Sequence, residues 1–370
     1  MSIYENFGCK QVINASGKMT ALGASSVDPS VAEAMGKAAM DYVDIAELMV
    51  QAGKVMAEVT GAEDGCPTSG AAGGIAISTA AVIAGTNLSL IERIPNTDGL
   101  RNEIIIQKGH SVHFGGSISQ MIAIGGGKVV EVGQANHVER DHIAGAVTEK
   151  TAALLYVKSH HAVQKGMQSI ETMIAISKEK GIPFIIDAAA EDDLKKYIAM
   201  GADIVIYSGG KAIEGPTSGF VCGRADLMAA CRAQYKGVGR PMKVGKEAIV
   251  GLLTALTRYY DRPDESEEQR SRMEWLIEQF KDTPGVKGVI VQDEAGRAIY
   301  RANLSFDAKV IGKSAYEIIK ELESGNPAIY TRNHYANLGI INVDPRPLLK
   351  GQEQIIAERI AQIITSGGNN

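Results

Sequence analysis

Between residues 103 and 208 the chain repeats one pattern, a short Ile/Val-rich run followed by a polar or amphipathic stretch. The runs lie at 103–107, 128–132, 152–158, 183–187 and 203–208. Each is nearly continuous in apolar residues, as strands covered on both faces are. Residues 169–180 read as an amphipathic helix between two of them, and 69–84 as a small-residue helix ahead of them all. This alternation predicts an α/β fold, a mostly parallel sheet covered by helices.

The rhythm changes after residue 260. Residues 266–281 read as a helix with Ser266 as N-cap ahead of Glu267 and Glu268. Short strands follow near 288–291, 302–306, 328–331 and 339–343, with helices at 313–323 and 352–364. This pattern predicts a smaller α+β C-terminal domain, bounded by the polar stretch 259–265 with Pro263. The expected division is an N-terminal segment 1–45 packing on the small domain and the functional site, a large domain 46–260, and a small domain 261–370.

Composition narrows the function classes. With 45% hydrophobic and 22% charged residues the chain is ordinary for a globular protein. A net charge of -5 disfavours a nucleic-acid partner, whose footprint is basic. Cys9, Cys66, Cys222 and Cys231 are far apart with no CxxC pair, which argues against a metal site or a disulfide framework. Free thiols suit a reducing cytosol. Residues 1–10 lack the apolar run of a signal peptide, and no stretch reaches the roughly 20 apolar residues of a membrane span. The expectation is a cytoplasmic protein with no membrane, metal or nucleic-acid partner.

Four places carry chemistry. Ser208-Gly209-Gly210-Lys211 follows the run 203–208. A lysine in such a turn reaches the carboxyl edge of the sheet, where α/β folds bind ligands, and a lysine with a lowered pKa attacks carbonyls. Alone it also reads as a surface lysine. Asp187 ends the run 183–187. A buried carboxylate needs a partner, and a protonated ring nitrogen is one; a helix cap or an ion pair is another. Ala189 points the same way as Asp187 if the strand continues, leaving room for a flat ring. Thr68-Ser69-Gly70-Ala71 opens a helix, with Ser69 as a natural N-cap and free amides suited to an anion. It is not a Walker loop, since no Gly-Lys-Ser/Thr follows. Gly109-His110-Ser111-Val112-His113 follows the run 103–107. His110 could stack on a ring and His113 could touch a substrate; both also read as structural histidines. His160 and His161 sit after another run and, being adjacent, make no metal pair.

In chain order these are an anion cup, a stacking residue, a pyridinium acid and a lysine. They resemble fold-type I pyridoxal-phosphate (PLP) enzymes, and within them the selenocysteine-synthase-like group. Val12-Ile13-Asn14-Ala15-Ser16-Gly17, Gly115-Gly116-Ser117, Asp187, Ser208-Gly209-Gly210-Lys211 and Gly215-Pro216-Thr217-Ser218-Gly219 carry the resemblance, which covers about residues 13–364. The chain departs from selenocysteine synthase in having no added N-terminal tRNA domain, and in placing His110 and His113 where that enzyme has acidic residues. Gly109 to Ser117 and Ser159-His160-His161-Ala162-Val163-Gln164-Lys165-Gly166 are similar to an ammonia-lyase subgroup acting on a phosphorylated amino sugar acid.

The resemblance implies that PLP forms a Schiff base with Lys211. It implies that Ser69, Gly70, Ala71 and Ser208 hold the cofactor phosphate, that His110 stacks on the ring and that Asp187 pairs with its nitrogen. Arg332 matches the arginine that holds a substrate carboxylate, with the planar two-pronged geometry that suits it. Arg240, Lys243 and Lys246 form a basic segment that could hold a sugar phosphate; a solvated turn is the other reading. The implied reaction is a PLP-dependent lyase reaction, deprotonation at C2 and loss of hydroxide at C3, with His113, His160 or His161 as acid. Other readings are a cysteine or selenocysteine lyase, a selenium transferase on seryl-tRNA, and a non-catalytic relative. The family also implies a homo-oligomer, at least a dimer.

Overall fold

The computed structural model describes residues 2–113, 115–159, 161–293 and 297–366. Its strands, in chain order, are β1 (Val12–Ala15), β2 (Asp64–Thr68), β3 (Glu103–Gln107), β4 (Lys128–Val132), β5 (Thr151–Val157), β6 (Phe184–Asp187), β7 (Ile204–Ser208), β8 (Gly219–Gly223), β9 (Val286–Gln292), β10 (Tyr300–Phe306), β11 (Ala328–Thr331) and β12 (Ile340–Val343). The helices used below are α1 (Pro29–Met40), α2 (Ile45–Thr60) and α3 (Ala71–Ala84).

The chain divides into two compact units, Ser25–Asp261 and Met1–Ala24 with Arg262–Asn370. The C-terminal division falls one residue from the expected one. On the N-terminal side residues 25–45, expected with the first segment, group with the large unit. There α1 packs against the helix Lys246–Thr257.

The large unit is built on one sheet, ordered β2-β8-β7-β6-β5-β3-β4. Strands β7, β6, β5, β3 and β4 run parallel. Strand β8 is antiparallel to both neighbours, so β2 points the same way as the parallel set. The carboxyl ends of six strands therefore share one edge. Gly219, at the start of β8, pairs with both Thr68 and Ser208 on that edge.

The central Ile/Val runs form strands covered on both faces: all seven residues of β5 and all four of β6 are buried, while of the edge strand β4 only Val132 is. Helix α3 lies close on one face because Gly74 has no side chain. A Cβ there would come within 2.7 Å of Ile206 Cγ2 and 3.2 Å of Val221 Cγ1.

The smaller unit has a three-stranded sheet, ordered β12-β10-β9 and antiparallel throughout, and a parallel pair, β1 with β11. Ile13, Leu304, Ile318, Ile329, Ile341 and Ile360 are among its buried core. Polar residues are buried here too: the Asp344 carboxylate accepts hydrogen bonds from Arg301 Nε (2.9 Å) and from Arg346 Nε (2.9 Å) and Nη2 (2.7 Å). Arg301 also donates to Asp293 at 2.8 Å. Gly17 closes over this group, where a Cβ would lie 3.3 Å from Arg346 Nη2.

Candidate active site

The large unit concentrates its chemistry at the shared carboxyl edge. Asp187 is the last residue of β6, 7% exposed, between Val157 of β5 and Ile206 of β7. In-register neighbours point to one face of a sheet, and Ile206 meets α3, so the Asp187 carboxylate shares the α3 face. Among the described residues its one hydrogen bond comes from the Ala189 amide at 3.2 Å. Burial therefore raises its pKa to about 6, opposed by the Lys211 ammonium and by that amide.

Ala189 does this through its backbone. The strand stops at Asp187 and the chain turns, so the condition for the expected alignment of the Ala189 side chain with Asp187, a strand that continues, is not met. Its carbonyl in turn accepts the Ser208 amide at 3.3 Å.

Lys211 sits in the turn after β7. Burial lowers its pKa, and the Asp187 carboxylate opposes that shift. The turn is held from three sides. The Gly209 amide donates to the Ser218 carbonyl (2.8 Å), the Gly215 amide to the Gly209 carbonyl (2.8 Å), and the Ser25 hydroxyl to the Gly210 carbonyl (3.0 Å). Ser25 was not anticipated, and at 185 residues from Gly210 nothing local in the sequence marks it.

The anion cup stands beside this turn. Helix α3 begins at Ala71 with Gly70 as N-cap, and no side chain caps it. Ser69 therefore lies outside the helix and is not the cap expected from the sequence. Its hydroxyl occupies the space over Gly73, where a Cβ would be 2.8 Å from Ser69 Oγ. A Cβ on Gly219 would approach Gly70 C within 2.7 Å, and one on Gly209 would strike Ser218 Oγ at 2.2 Å. Glycines at these points let the 68–70, 208–211 and 218–219 segments converge. The product is a set of helix-start amides and two hydroxyls, Ser69 and Ser208, engaged by no hydrogen bond among the described residues. That donor set fits a phosphate, and the half-satisfied Asp187 fits a protonated ring nitrogen.

His110 follows β3 and is 0% exposed. The Val157 amide donates to its Nδ1 at 3.3 Å, and its Nε2 pairs with the Val163 carbonyl at 3.0 Å. Burial lowers its pKa to about 4. Its ring meets Tyr156 edge-on, 4.4 Å between centroids. A ring so enclosed offers no open face, which conflicts with the stacking role expected for it. His113 is exposed and His161 half-buried; His160 lies outside the described residues.

Of the basic segment, Arg240 and Lys243 are exposed. The Met242 thioether between them lies 3.8 Å from where a Gly73 Cβ would be, next to the cup. Lys246 has a different task from the one expected: its ammonium donates to the carbonyls of Ala38, Ala39 (2.9 Å) and Asp41, closing the end of α1. Three acceptors use its three donors, so it holds no substrate phosphate. Arg332 belongs to the smaller unit, just past β11, where its backbone pairs with Asn342. No described helix is long and apolar enough to cross a membrane.

Comparison with known proteins gives this geometry a family. The chain matches the L-seryl-tRNA selenium transferase family over residues 12–283. It is 45% identical over 99% of its length to a 5'-C-glycyluridine monooxygenase-decarboxylase from Streptomyces sp, of which 92% is covered. It is 42% identical over 98% of its length to the D-glucosaminate-6-phosphate ammonia lyase of Salmonella typhimurium, of which 98% is covered. A solved structure of D-glucosaminate-6-phosphate ammonia-lyase matches it with a TM-score of 0.95, covering 100% of both chains at 42% identity. The chain is thus an enzyme with the fold of fold-type I PLP enzymes, and it belongs to the L-seryl-tRNA selenium transferase family.

Proposed function

We propose that this chain is a PLP-dependent ammonia-lyase that converts D-glucosaminate 6-phosphate to 2-keto-3-deoxy-6-phosphogluconate and ammonia. The observation that carries the cofactor is the pairing of a buried, under-partnered Asp187 with a desolvated Lys211 beside an uncapped helix start. The substrate rests on the full-length likeness to the D-glucosaminate-6-phosphate enzymes.

In this reading the amides of Gly70 and Ala71 and the hydroxyls of Ser69 and Ser208 hold the cofactor phosphate. Asp187 keeps a proton on the ring nitrogen. When bound, PLP supplies a sink for the electron pair left at the carbon beside the amine. The Lys211 amine, its pKa lowered by burial, takes the proton from C2 of the substrate. His113, His160 or His161 gives a proton to the departing C3 hydroxyl. Arg332 holds the carboxylate, and Arg240 and Lys243 the phosphate. The protein is read as a cytoplasmic homo-oligomer, at least a dimer.

A second reading follows from the 45% identity to the monooxygenase-decarboxylase. It keeps the cofactor and Lys211 and replaces elimination by oxidative decarboxylation of a glycyl nucleoside.

Borohydride should fix PLP onto Lys211, and D-glucosaminate 6-phosphate should give keto acid and ammonia in equal amounts, without oxygen as in air. Lys211→Ala should lose about 10³-fold or more in rate; near-normal turnover by that variant would remove the lysine from the chemistry. Oxygen uptake and carbon dioxide release from 5'-C-glycyluridine, with the sugar acid inert, would establish the second reading.

A further inference from the structure

Strand β3 ends at Gln107, while its neighbour β5 continues to Val157. Along β5 the amides of Leu154 and Lys158 donate toward β6, to the Pro183 and Asp187 carbonyls. The alternate amide, that of Val157, therefore points toward β3, past the place where β3 has stopped. A buried amide left there without a partner is costly. His110 Nδ1 accepts it. An amide can only donate, so Nδ1 carries no proton, and Nε2 must bear the hydrogen it gives to the Val163 carbonyl. The Val163 amide completes the tie by donating to the Gly109 carbonyl at 3.0 Å. Gly109 has room for nothing larger: a Cβ would lie 2.5 Å from the Ala135 carbonyl oxygen.

We infer that His110 is a positioning residue, a clamp between the turn that carries His113 and the turn that carries Ser159 and His161, and that it does not cover the cofactor ring. The inference rests on the reading of this sheet edge as the catalytic one. The cup and Lys211 hang on β2, α3, β7 and β8, whereas the clamp ties the end of β5 to the segment after β3. Its Val157 lies in register beside Asp187, whose carboxylate is bonded from Ala189 instead. Loss of the clamp should therefore disturb turnover while leaving cofactor affinity in place, whereas loss of a ring contact would weaken both.

In H110A, kcat/KM for D-glucosaminate 6-phosphate should fall about tenfold or more, with the Kd for PLP within about threefold of wild type. That Kd is read by absorbance titration without substrate. Asn places an acceptor where Nδ1 stands and Gln a donor where Nε2 stands, so H110N and H110Q should each recover part of the loss. A PLP Kd that rises in step with lost turnover overturns the clamp, and so does wild-type turnover in H110A. Should H110A fail to fold, nitrogen-15 spectra of the wild-type ring decide. A protonated Nδ1 overturns the clamp, and a bare Nδ1 with slow exchange of the Val157 amide supports it. Both readouts stand if the substrate proves to be another compound, which separates failure of the clamp from failure of the proposed function.

Discussion

Two buried aspartates in this chain have opposite fates. Asp344, 0% exposed, receives three hydrogen bonds from two guanidiniums and a fourth from the Arg346 amide at 3.2 Å. These partners hold its carboxyl far below the ordinary carboxylate range despite its burial. Asp187, 7% exposed, has one amide and the field of Lys211, and its pKa rises to about 6. Burial acts the same way on both; the partners decide the outcome. A carboxylate that the protein completes by itself serves the fold. One that it leaves half-completed at a sheet edge is fitted to a partner from outside the chain.

The sharpest way to break this contrast is Asp344→Asn. Removing one member of a buried ion cluster takes from Arg301 one of its two carboxylate partners and should cost about 3–5 kcal/mol. Denaturant melts would show it, and a loss below about 1 kcal/mol would make the network incidental. Because the folded pKa lies below the ordinary 3.8, this stabilisation is present above about pH 4 and is lost as pH falls below it.

Asp187→Asn should lower kcat about a hundredfold by removing the charge that holds the ring proton. Its effect on the cofactor-free protein has the opposite sign to that at Asp344. The folded pKa of about 6 exceeds 3.8, so stability is full below the lower value and falls as pH rises through the higher one, by about 3 kcal/mol at most. The Asn variant should lack that slope. Parallel melting curves for the two proteins from pH 4 to 8 would sink the difference drawn between the two aspartates.

Arg332→Ala should raise KM about tenfold to a hundredfold with a smaller change in kcat, as loss of a charged hydrogen bond predicts. An unchanged KM would remove it from the substrate. The smallest effect belongs to Lys246→Met, which should cost less than about 1 kcal/mol by uncapping α1 and leave KM alone. Lys243→Ala should do the reverse, and a KM change in the Lys246 variant would return that residue to the phosphate.

Much of the large sheet was legible in the sequence because its strands are unbroken apolar runs. The expected bounds of β3, β4 and β11 agree with the structure, and those of β5, β6 and β7 are within one residue. Strands β2 and β8 were not, since Asp-Gly-Cys-Pro-Thr and Gly-Phe-Val-Cys-Gly read as turns until each is paired with the other. Asp187 and Lys211 could be read because each follows such a run. The burial of His110 could not: it depends on β5 outrunning β3, a matter of register between segments about fifty residues apart. Lys246 misled for a similar reason. A basic turn looks the same whether its lysine meets solvent, a ligand or the end of a helix 205–208 residues earlier.

The pairing of β1 with β11 bears on how the chain is made. Ribosomes work at roughly 5–20 residues per second, so the first strand emerges about 15 to 60 seconds before its partner. The sheet of the large unit needs only residues between Asp64 and Gly223, and can close during that interval. The smaller unit is assembled last, from the two ends of the described chain. A fusion or trimming that disturbs Val12–Ala15 should therefore damage the unit holding Arg332, leaving the one holding Lys211 able to fold.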